Sequence, residues 1–364
     1  MIIVDINLIF QSIKNRMEGD KMKNIKNIFG EGVLYEKEDL GNRIYATSAA
    51  CMSVWSDMLS FANKYPEKFV DNPMDADDVV ILGCQVTDLA VLNDLEIARK
   101  LHDMTFKDVY LGGCIAQRMD ISLPNYVRRL NVIREYNIDL VNRNLVHYEK
   151  PFWVPDFKEE EDNLKDGHLF RNFYPLKIGA GCHGKCKYCA IVHTRGGYYE
   201  EVPEKQINEF LNHENVVLIS DSPTPSQIKA WCKIARETNK DISIRNVEPQ
   251  NLIQCRNELL ELADNGLLKI VHCPVQSFDE DLLKAMNRSV VATNQVIQLI
   301  RELRKKGVVT ATNIIIDYEV NDKLYENHDK EKLNEFFDYY SWNPYFDGNF
   351  NMERAKERFK KYIK

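Results

Sequence analysis

Three cysteines in one glycine-rich loop constrain this chain more than any other feature of its sequence. Cys182, Cys186 and Cys189 form a C-x₃-C-x₂-C pattern, and the loop holds no fourth cysteine. A structural zinc ion takes four ligands, and a 4Fe–4S cluster normally takes four thiolates. Three thiolates on such a cluster leave one iron open to a substrate or cofactor; a zinc site or three unligated thiols are the alternatives. Because the loop follows an apolar run, Tyr174–Ile178, that reads as a strand, it is expected at the catalytic face of a β/α barrel.

This spacing, with Tyr188 before the last cysteine, resembles that of the radical S-adenosylmethionine (SAM) enzymes. The resemblance implies that Cys182, Cys186 and Cys189 are catalytic and bind a 4Fe–4S cluster, with Tyr188 beside the cofactor. In that family the open iron chelates the amino and carboxylate groups of SAM. An electron from the cluster then cleaves SAM to methionine and a 5′-deoxyadenosyl radical.

Composition narrows the class of protein. The 364 residues suffice for two domains, and 44% hydrophobic with 28% charged residues is typical of globular proteins. The net charge of −7 predicts no general nucleic-acid-binding surface. Nine cysteines, six of them in two groups of three, fit metal ligation in a reducing compartment. The N-terminus lacks a signal peptide, and no apolar run reaches the roughly 18 residues of a membrane span, so a cytoplasmic protein without membrane contact is expected.

A second group of three cysteines occurs in residues 41–150, where short apolar runs alternate with helical stretches. This alternation predicts a doubly wound parallel sheet. Cys51, Cys84 and Cys114 each follow a predicted strand, and ligand sites of such sheets collect at the carboxyl ends of the strands. The three thiols are therefore expected to converge as metal ligands, although a single cysteine at such a position is usually a small core residue.

The segments Asp78–Ala90 and Gly112–Arg118 resemble the N-terminal domain of the methylthiotransferases, radical SAM enzymes that attach a methylthio group to tRNA or to a ribosomal-protein aspartate. The resemblance implies that Cys51, Cys84 and Cys114 hold an auxiliary 4Fe–4S cluster. Asp57 keeps an acidic position of that family. The residues next to the cysteines, however, are apolar here where the family has polar ones, which predicts apolar surroundings for the auxiliary cluster.

Residues 171–364 are predicted to form the radical SAM domain, a partial (β/α)6 barrel. The run from Cys273 to Arg288 is similar to the family's Pro-Val-Gln-Ser…Leu-Lys-x-Met-x-Arg segment. By resemblance, the residues that contact SAM are Asn246, Glu248, Gln276, Ser277 and Arg288. A carboxylate at a strand end suits a ribose diol, and an arginine suits a carboxylate. The alternatives are that Glu248 merely precedes a turn and that Arg288 is a helix-end cation.

The remaining segments carry weaker signals. Residues 1–40 are predicted to be an N-terminal extension with helical character, and residues 151–170 an exposed acidic linker. The last 13 residues predict a basic helix, either an ordinary surface helix or a contact for an acidic partner. Tyrosine-rich and basic residues end the sequence, so we expect no TRAM domain, the small β-barrel that handles RNA in tRNA-modifying members of the family, after the radical domain.

Together these features predict a methylthiotransferase that uses two 4Fe–4S clusters and SAM. The net charge and the lack of a TRAM domain favour a peptide or protein substrate over tRNA, which stays possible. A flavodoxin- or ferredoxin-type electron donor is expected. The alternative is a radical SAM peptide-modifying oxidoreductase or sulfur-insertion enzyme whose auxiliary cluster takes no part in methyl transfer.

Overall fold

The computed structural model describes residues 23–131, 147–148, 169–170, 173–195 and 197–362. These residues form an α/β structure with two parallel sheets, so the predicted fold class is confirmed. The helical pattern predicted around residues 6–13 and most of the predicted linker lie outside the described residues. The boundaries of the predicted domains stay predictions.

The N-terminal half contains a five-stranded parallel sheet in the order β6-β5-β4-β3-β7. An antiparallel hairpin of β1 and β2 precedes it. The strands are β1 Lys23–Asn27, β2 Gly30–Leu34, β3 Ile44–Ser48, β4 Asp78–Gly83, β5 Val109–Gly113, β6 Val127–Arg129 and β7 His147–Tyr148. The helices are α1 Met52–Lys64 and α2 Asp88–Thr105. The chain runs outward from β3 to β6 and then returns to the other side of β3, which makes the sheet doubly wound.

The hairpin corrects the prediction of helix-compatible structure up to residue 29. Asn27 pairs with Gly30 across a two-residue turn, and the Asn27 Oδ1 accepts the Phe29 N–H at 2.8 Å. Cross-strand pairing overrides the helix propensity of this lysine-rich stretch. The hairpin also packs on the N-terminal sheet, since Leu34 is buried and the Asn27 side chain donates to the Gln117 carbonyl at 2.9 Å.

The C-terminal half contains six parallel strands that follow one another in chain order, β8-β11-β12-β13-β14-β17. Small antiparallel pairs, β9 with β10 and β15 with β16, flank this sheet. The strands are β8 Tyr174–Lys177, β9 Gly179–Ala180, β10 Tyr199–Glu200, β11 Val216–Ile219, β12 Ile242–Ile244, β13 Leu268–His272, β14 Val309–Ile316, β15 Tyr318–Val320, β16 Lys323–Tyr325 and β17 Tyr339–Pro344. The helices are α3 Ile191–Thr194, α4 Ile207–Asn212, α5 Pro225–Thr238, α6 Pro249–Ile253, α7 Arg256–Asp264, α8 Glu280–Ala285, α9 Val290–Lys305, α10 Lys330–Phe336 and α11 Met352–Tyr362.

The sequence predicts six β/α units but places no strand at Tyr339–Pro344, where the sixth strand of this sheet lies. Its six residues each pair with β14, from Tyr339 opposite Ala311 to Pro344 opposite Ile316. Aromatic and polar residues alternate irregularly along β17, so its period is unclear in the sequence. The strand completes the six-stranded half-barrel and carries polar side chains to its carboxyl edge.

Helix α1 packs between the two sheets. It begins directly after Cys51, and its Met58, Leu59 and Phe61 share one core with Leu82 of β4 and Ile219 of β11. Burial of these large apolar side chains, worth about 1.5–3 kcal/mol each, holds the two halves together. The carboxyl ends of both sheets thereby face each other.

Basic side chains of the C-terminal helix α11 form ion pairs with acidic residues of the same chain. Arg358 Nη1 lies 3.3 Å from the fully buried Asp88 Oδ2, and Arg354 Nη2 lies 3.0 Å from Asp347 Oδ1. Because Asp88 begins α2, the C-terminal helix is fixed against the N-terminal half. These arginines do not require an external acidic partner.

Candidate active site

The cysteine loop of the C-terminal half is closed at its base by the short ladder of β9 and β10. Gly181, just before Cys182, has a φ of +80°, and a Cβ there would lie 2.3 Å from the Gly197 carbonyl oxygen. Only glycine fits this close approach of the two loop ends. The Gly181 N–H donates to Asp221 Oδ2 at 2.8 Å, which anchors the loop to the end of β11.

The turn between α8 and α9 forms hydrogen bonds with the same loop. The Met286 carbonyl accepts the Lys187 N–H at 3.1 Å, and the Asn287 side chain donates to the Lys185 carbonyl at 2.8 Å. The Arg288 guanidinium donates to Cys186 Sγ at 3.6 Å and to the Tyr188 hydroxyl at 3.0 Å. Through these contacts the turn at residues 286–288 fixes the position of the cysteine loop.

Cys51, Cys84 and Cys114 follow three adjacent parallel strands, as expected. Cys51 precedes α1, Cys84 follows β4, and Cys114 follows β5. Gly113 has a φ of +80°, and a Cβ there would lie 2.4 Å from the Gly83 carbonyl oxygen. The two glycines let the strand ends approach closely, which brings the cysteines that follow them to one edge of the sheet.

The N-terminal triad packs against the apolar core that contains Met52, Val54 and Leu82, and one polar side chain, Asp94, lies among these surroundings. Asp94 of α2 is buried, and its Oδ2 accepts the Cys84 N–H at 2.7 Å. Burial raises the pKa of Asp94 well above its usual range. A Cβ on Gly83 would lie 2.7 Å from the same Asp94 oxygen, so the glycine leaves room for this carboxyl group. The polar group missing directly beside the cysteine comes from the helix that follows Cys84, ten residues further along the chain.

Cys84 and Cys114 of one triad and Cys189 of the other share one electrostatic property, a raised pKa. Burial raises the pKa of Cys84, and the neighbouring Cys51 and Cys114 add to the shift. Burial also raises the pKa of Cys114 to about 11 and that of Cys189 to about 12. Thiols of this kind lose their protons when they bind metal.

A buried group of four charges joins the two triads. Arg195, shortly after the C-terminal cysteine loop, donates from Nη1 to Asp57 Oδ2 at 2.8 Å and from Nε to Asp221 Oδ2 at 3.0 Å. Lys177, at the end of β8, donates to the other oxygen of Asp57. Each side chain is at most 5% exposed. Since Asp57 lies on the helix that follows Cys51, this network fixes the cysteine loop against the N-terminal half.

Both triads open on one cavity of about 600 Å³ between the two sheets. Its walls contain seven of the residues predicted from the sequence: Cys51, Cys84, Tyr188, Cys189, Asn246, Glu248 and Gln276. Phe170 also lines the cavity and is buried, so this end of the predicted linker is not exposed.

Glu248 and Arg288 form a buried pair, with 2.9 Å between Glu248 Oε2 and Arg288 Nη2. Glu248 precedes α6 but makes no capping bond, so its carboxylate is directed at the site rather than at the helix. The Arg288 side chain is 3% exposed, which excludes the role of a solvated helix-end cation. Arg288 thus holds Glu248, Tyr188 and the cysteine loop together.

Ser277 lies apart from the cavity. Its hydroxyl donates to Asn327 Oδ1 at 2.8 Å and accepts the Asp279 N–H at 2.9 Å. These bonds give Ser277 a role in the turn before α8. The geometry offers no support for its predicted contact with SAM.

Three functional candidates were missed by sequence reasoning: Asp94, Arg195 and His272. Asp94 and His272 line the cavity, and Arg195 joins the triads. A signal existed for Arg195, since it follows Cys189 of the cysteine loop by only six residues. His272 has no local signal, because its partners Asn246 and Asn313 are remote in sequence. Asp94 reads as an ordinary helix residue, because only the fold brings its carboxyl group to the Cys84 amide.

The donor groups fit iron–sulfur clusters. Each triad offers three thiols, the ligand type that such clusters require. Among the described residues no three Cys, His, Asp or Glu side chains converge closely enough to chelate one ion, so neither triad is a preformed mononuclear zinc site. The buried Arg288 Nε has no hydrogen-bond partner among the residues that the structure describes, as expected beside a site built for an additional group.

Residues 176–330 match the radical SAM superfamily. With the cysteine loop at the end of the first strand of a six-stranded parallel sheet, this match defines the class: the C-terminal half contains a radical SAM domain. Over a longer stretch, the chain is homologous to the radical SAM methylthiotransferases.

Two relatives illustrate the homology. The chain is 24% identical over 292 residues to the ribosomal protein uS12 methylthiotransferase RimO of Clostridium botulinum, covering 72% of this chain and 65% of that protein. It is 22% identical over 316 residues to the tRNA-2-methylthio-N(6)-dimethylallyladenosine synthase of Rickettsia canadensis, covering 76% and 70%. The match thus spans less than two thirds of the first relative's length.

Among solved structures, the radical SAM methyltransferase TsrM of Kitasatospora setae, with tryptophan and a SAM analogue bound, aligns with a TM-score of 0.46. The identity is 11%, covering 76% of this chain and 68% of that one. This likeness is too weak to bear on fold or function. Separately, no helix in the described ranges is long and apolar enough to cross a bilayer.

Proposed function

We propose that this chain is a radical SAM methylthiotransferase that inserts a methylthio group at an unactivated C–H of a peptide or protein. The observation that carries the proposal is the single cavity lined by Cys51 and Cys84 from one half and Cys189 from the other. One cavity lets one substrate atom reach both triads, and holding reacting groups together lowers the barrier substantially. The homology with methylthiotransferases supports the same reaction.

When bound, a cluster on Cys182, Cys186 and Cys189 would supply the electron that cleaves SAM, and one on Cys51, Cys84 and Cys114 would supply sulfur for the methylthio group. The side chains of the cavity position the reactants. Glu248, held by Arg288, is placed to accept the ribose hydroxyls of SAM, with Asn246 and Gln276 on the same wall.

The walls also exclude water from the reacting groups. Phe29, Phe170 and Phe346 contribute aromatic surface on the N-terminal side of the cavity. A dry cavity protects a carbon radical from side reactions. The hairpin that carries Phe29 therefore has a place in the proposed mechanism.

A peptide or protein is the proposed substrate. The net charge of −7 disfavours tRNA, whose binding depends on neutralising phosphates. Asn246, Asn313 and Ser341 present amide and hydroxyl groups to the cavity, which suit the polar groups of a peptide backbone. A flavodoxin- or ferredoxin-type protein is proposed as the electron donor.

The test is product mass after anaerobic reconstitution with iron, sulfide, SAM, a reductant and a pool of peptides. We expect a product heavier than its substrate by one sulfur and one methylene, and no product from a Cys51→Ala variant. Addition of sulfur alone, or loss of two hydrogens, would favour the sulfur-insertion or oxidoreductase alternative. Full methylthiolation by Cys51→Ala would refute the role of the N-terminal triad. Product on bulk tRNA, with tight and salt-sensitive binding, would refute the peptide substrate.

A further inference from the structure

The hairpin of β1 and β2 turns through two apolar residues, Ile28 and Phe29. Short turns are dominated by Gly, Pro, Asn, Asp and Ser, so an apolar pair at this position is unusual. Ile28 is 65% exposed, and both residues line the cavity on which the two triads open. The tip of the hairpin therefore presents apolar surface to solvent where the cavity opens.

A buried arginine holds this tip in place. The Arg118 guanidinium lies between two aromatic rings, 4.7 Å from the centre of Phe29 and 5.4 Å from that of Phe346. Its side chain is 2% exposed, and a cation on an aromatic face is attracted more strongly when both are removed from water. The hairpin also packs closely behind its tip, since a Cβ on Gly32 would lie 2.4 Å from Met119 Sδ. The position of the tip is thus fixed before a ligand binds.

A further exposed apolar side chain lies on the cavity wall. Val86 is 57% exposed and follows Cys84 by two residues. The residue between them, Gln85, accepts a hydrogen bond from Arg118 Nη1 at 2.8 Å, so Arg118 links the hairpin tip to the segment that carries Val86. Single exposed apolar side chains need no explanation, but a group of them at the entrance of a cavity marks a binding surface.

The hairpin tip also contacts the half of the molecule that contains the cysteine loop. The rings of Phe29 and His193 meet edge to face, with 6.2 Å between their centres. His193 follows Cys189 by four residues and lines the same cavity. The tip thus lies beside the space between the two triads, where the reacting part of a substrate has to bind.

We propose that the apolar entrance, formed by Ile28, Phe29 and Val86, is a specificity site for a large apolar side chain of the substrate peptide, close in its sequence to the modified residue. The inference rests on the proposed peptide-modifying function. Because the entrance is continuous with the cavity of the two triads, its occupant is the substrate itself. A side chain that covers Ile28 and Val86 removes their exposed surface from water, which favours binding. Aliphatic surface makes no directional contact, so Leu, Ile, Met and Phe are all accepted.

The test uses the reconstituted full-length chain with SAM and a library of random short peptides, followed by sequencing of the bound fraction. We expect wild type to enrich Leu, Ile, Met and Phe over Asn, Gln and Ser at one position by about tenfold, equivalent to about 1.4 kcal/mol. Ile28→Ser should remove most of this preference and Val86→Ser should lower it, whereas Ile28→Leu, which restores the apolar surface, should keep it. The matched control is Val291→Ser. Val291 is 66% exposed on α9, outside the walls of the cavity, so its replacement should leave the preference unchanged.

Loss of the preference in Ile28→Ser but not in Val291→Ser, at unchanged SAM affinity, supports the proposal and shows that the variant is folded. Peptides retained by wild type without an apolar preference, or a preference that survives in Ile28→Ser, overturn the role of the hairpin and leave the peptide substrate in place. Equal loss in Val291→Ser overturns that role too, because the preference then reflects adsorption to the general surface. No retained peptide in wild type overturns the peptide substrate as well.

Discussion

The two cysteine triads are built in opposite ways. The loop triad (Cys182, Cys186 and Cys189) lies within one loop. The shape of this loop depends on Gly181 and on hydrogen bonds from residues 286–288. The sheet triad (Cys51, Cys84 and Cys114, the N-terminal triad) comes from the ends of three strands. These cysteines lie close together only when the strands pair in the right register. A local triad is visible in a sequence and tolerates change elsewhere, whereas a triad built by a sheet depends on the whole fold.

Arg195 makes ion pairs beside both triads. This residue closes the loop triad through Asp221, and it reaches the helix after Cys51 through Asp57. Arg195 is also close enough to Cys114 for its charge to oppose the rise of that thiol's pKa. The distance between the triads therefore depends on buried charges as well as on apolar packing.

The largest expected effect comes from replacing the cysteines of one triad at a time, which should remove one cluster and leave the other. Wild type should bind about eight irons per chain after anaerobic reconstitution, and replacing all three cysteines of either triad with alanine should leave about four. Loss of the loop triad should abolish SAM cleavage, whereas loss of the sheet triad should spare SAM cleavage and abolish methylthiolation. Iron, sulfide and 5′-deoxyadenosine are measured. About four irons in wild type, falling to none without the loop triad, would show that Cys51, Cys84 and Cys114 are core thiols.

Arg195→Met should break the link between the triads. It leaves Asp57 and Asp221 buried with less counter-charge, which we expect to cost about 3–5 kcal/mol of unfolding free energy. Chemical denaturation measures this cost. The control is Arg236→Met, which removes an exposed pair with Glu261 and should cost about 1 kcal/mol or less. Equal costs for both variants would contradict a structural role for the network.

Arg288→Met should weaken the binding of iron and SAM at the loop triad and leave iron binding at the sheet triad unchanged. It removes the contacts to Cys186, Tyr188 and Glu248, and loss of such supporting contacts typically lowers affinity by about 10–100-fold. SAM affinity by equilibrium dialysis and iron per chain are the measurements, with the iron of the sheet triad as internal reference. A variant that loses iron from both triads equally would show general unfolding instead.

The smallest effect concerns Asp94 beside the sheet triad. Asp94→Asn keeps an oxygen for the Cys84 N–H, and because burial favours the uncharged acid, the change should cost less than about 1 kcal/mol. Asp94→Ala leaves that amide without a partner and should cost about 1–3 kcal/mol. Denaturation curves of the two variants distinguish them. A larger cost for Asn than for Ala would mean that the Asp94 charge itself is needed.

The fold class follows well from the sequence, since regular alternation of strands and helices leaves few arrangements. The hairpin at Lys23–Leu34 and the strand at Tyr339–Pro344 were missed, because their pairing partners rather than their own residues stabilise them. For the site, the cavity contains Asn246, Glu248 and Gln276 but not Ser277, whose hydroxyl serves a turn. The metal ligands and SAM contacts stay predictions.

The sequence by itself determined the loop triad, because its spacing lies within one segment, and it determined that three further cysteines follow strands. Only the tertiary structure decided that both triads share one cavity and that Asp94 and Arg195 lie beside them. The physical reason is distance along the chain. Hydrogen bonds and ion pairs between remote segments depend on how two sheets pack, and no local pattern of residues records that packing.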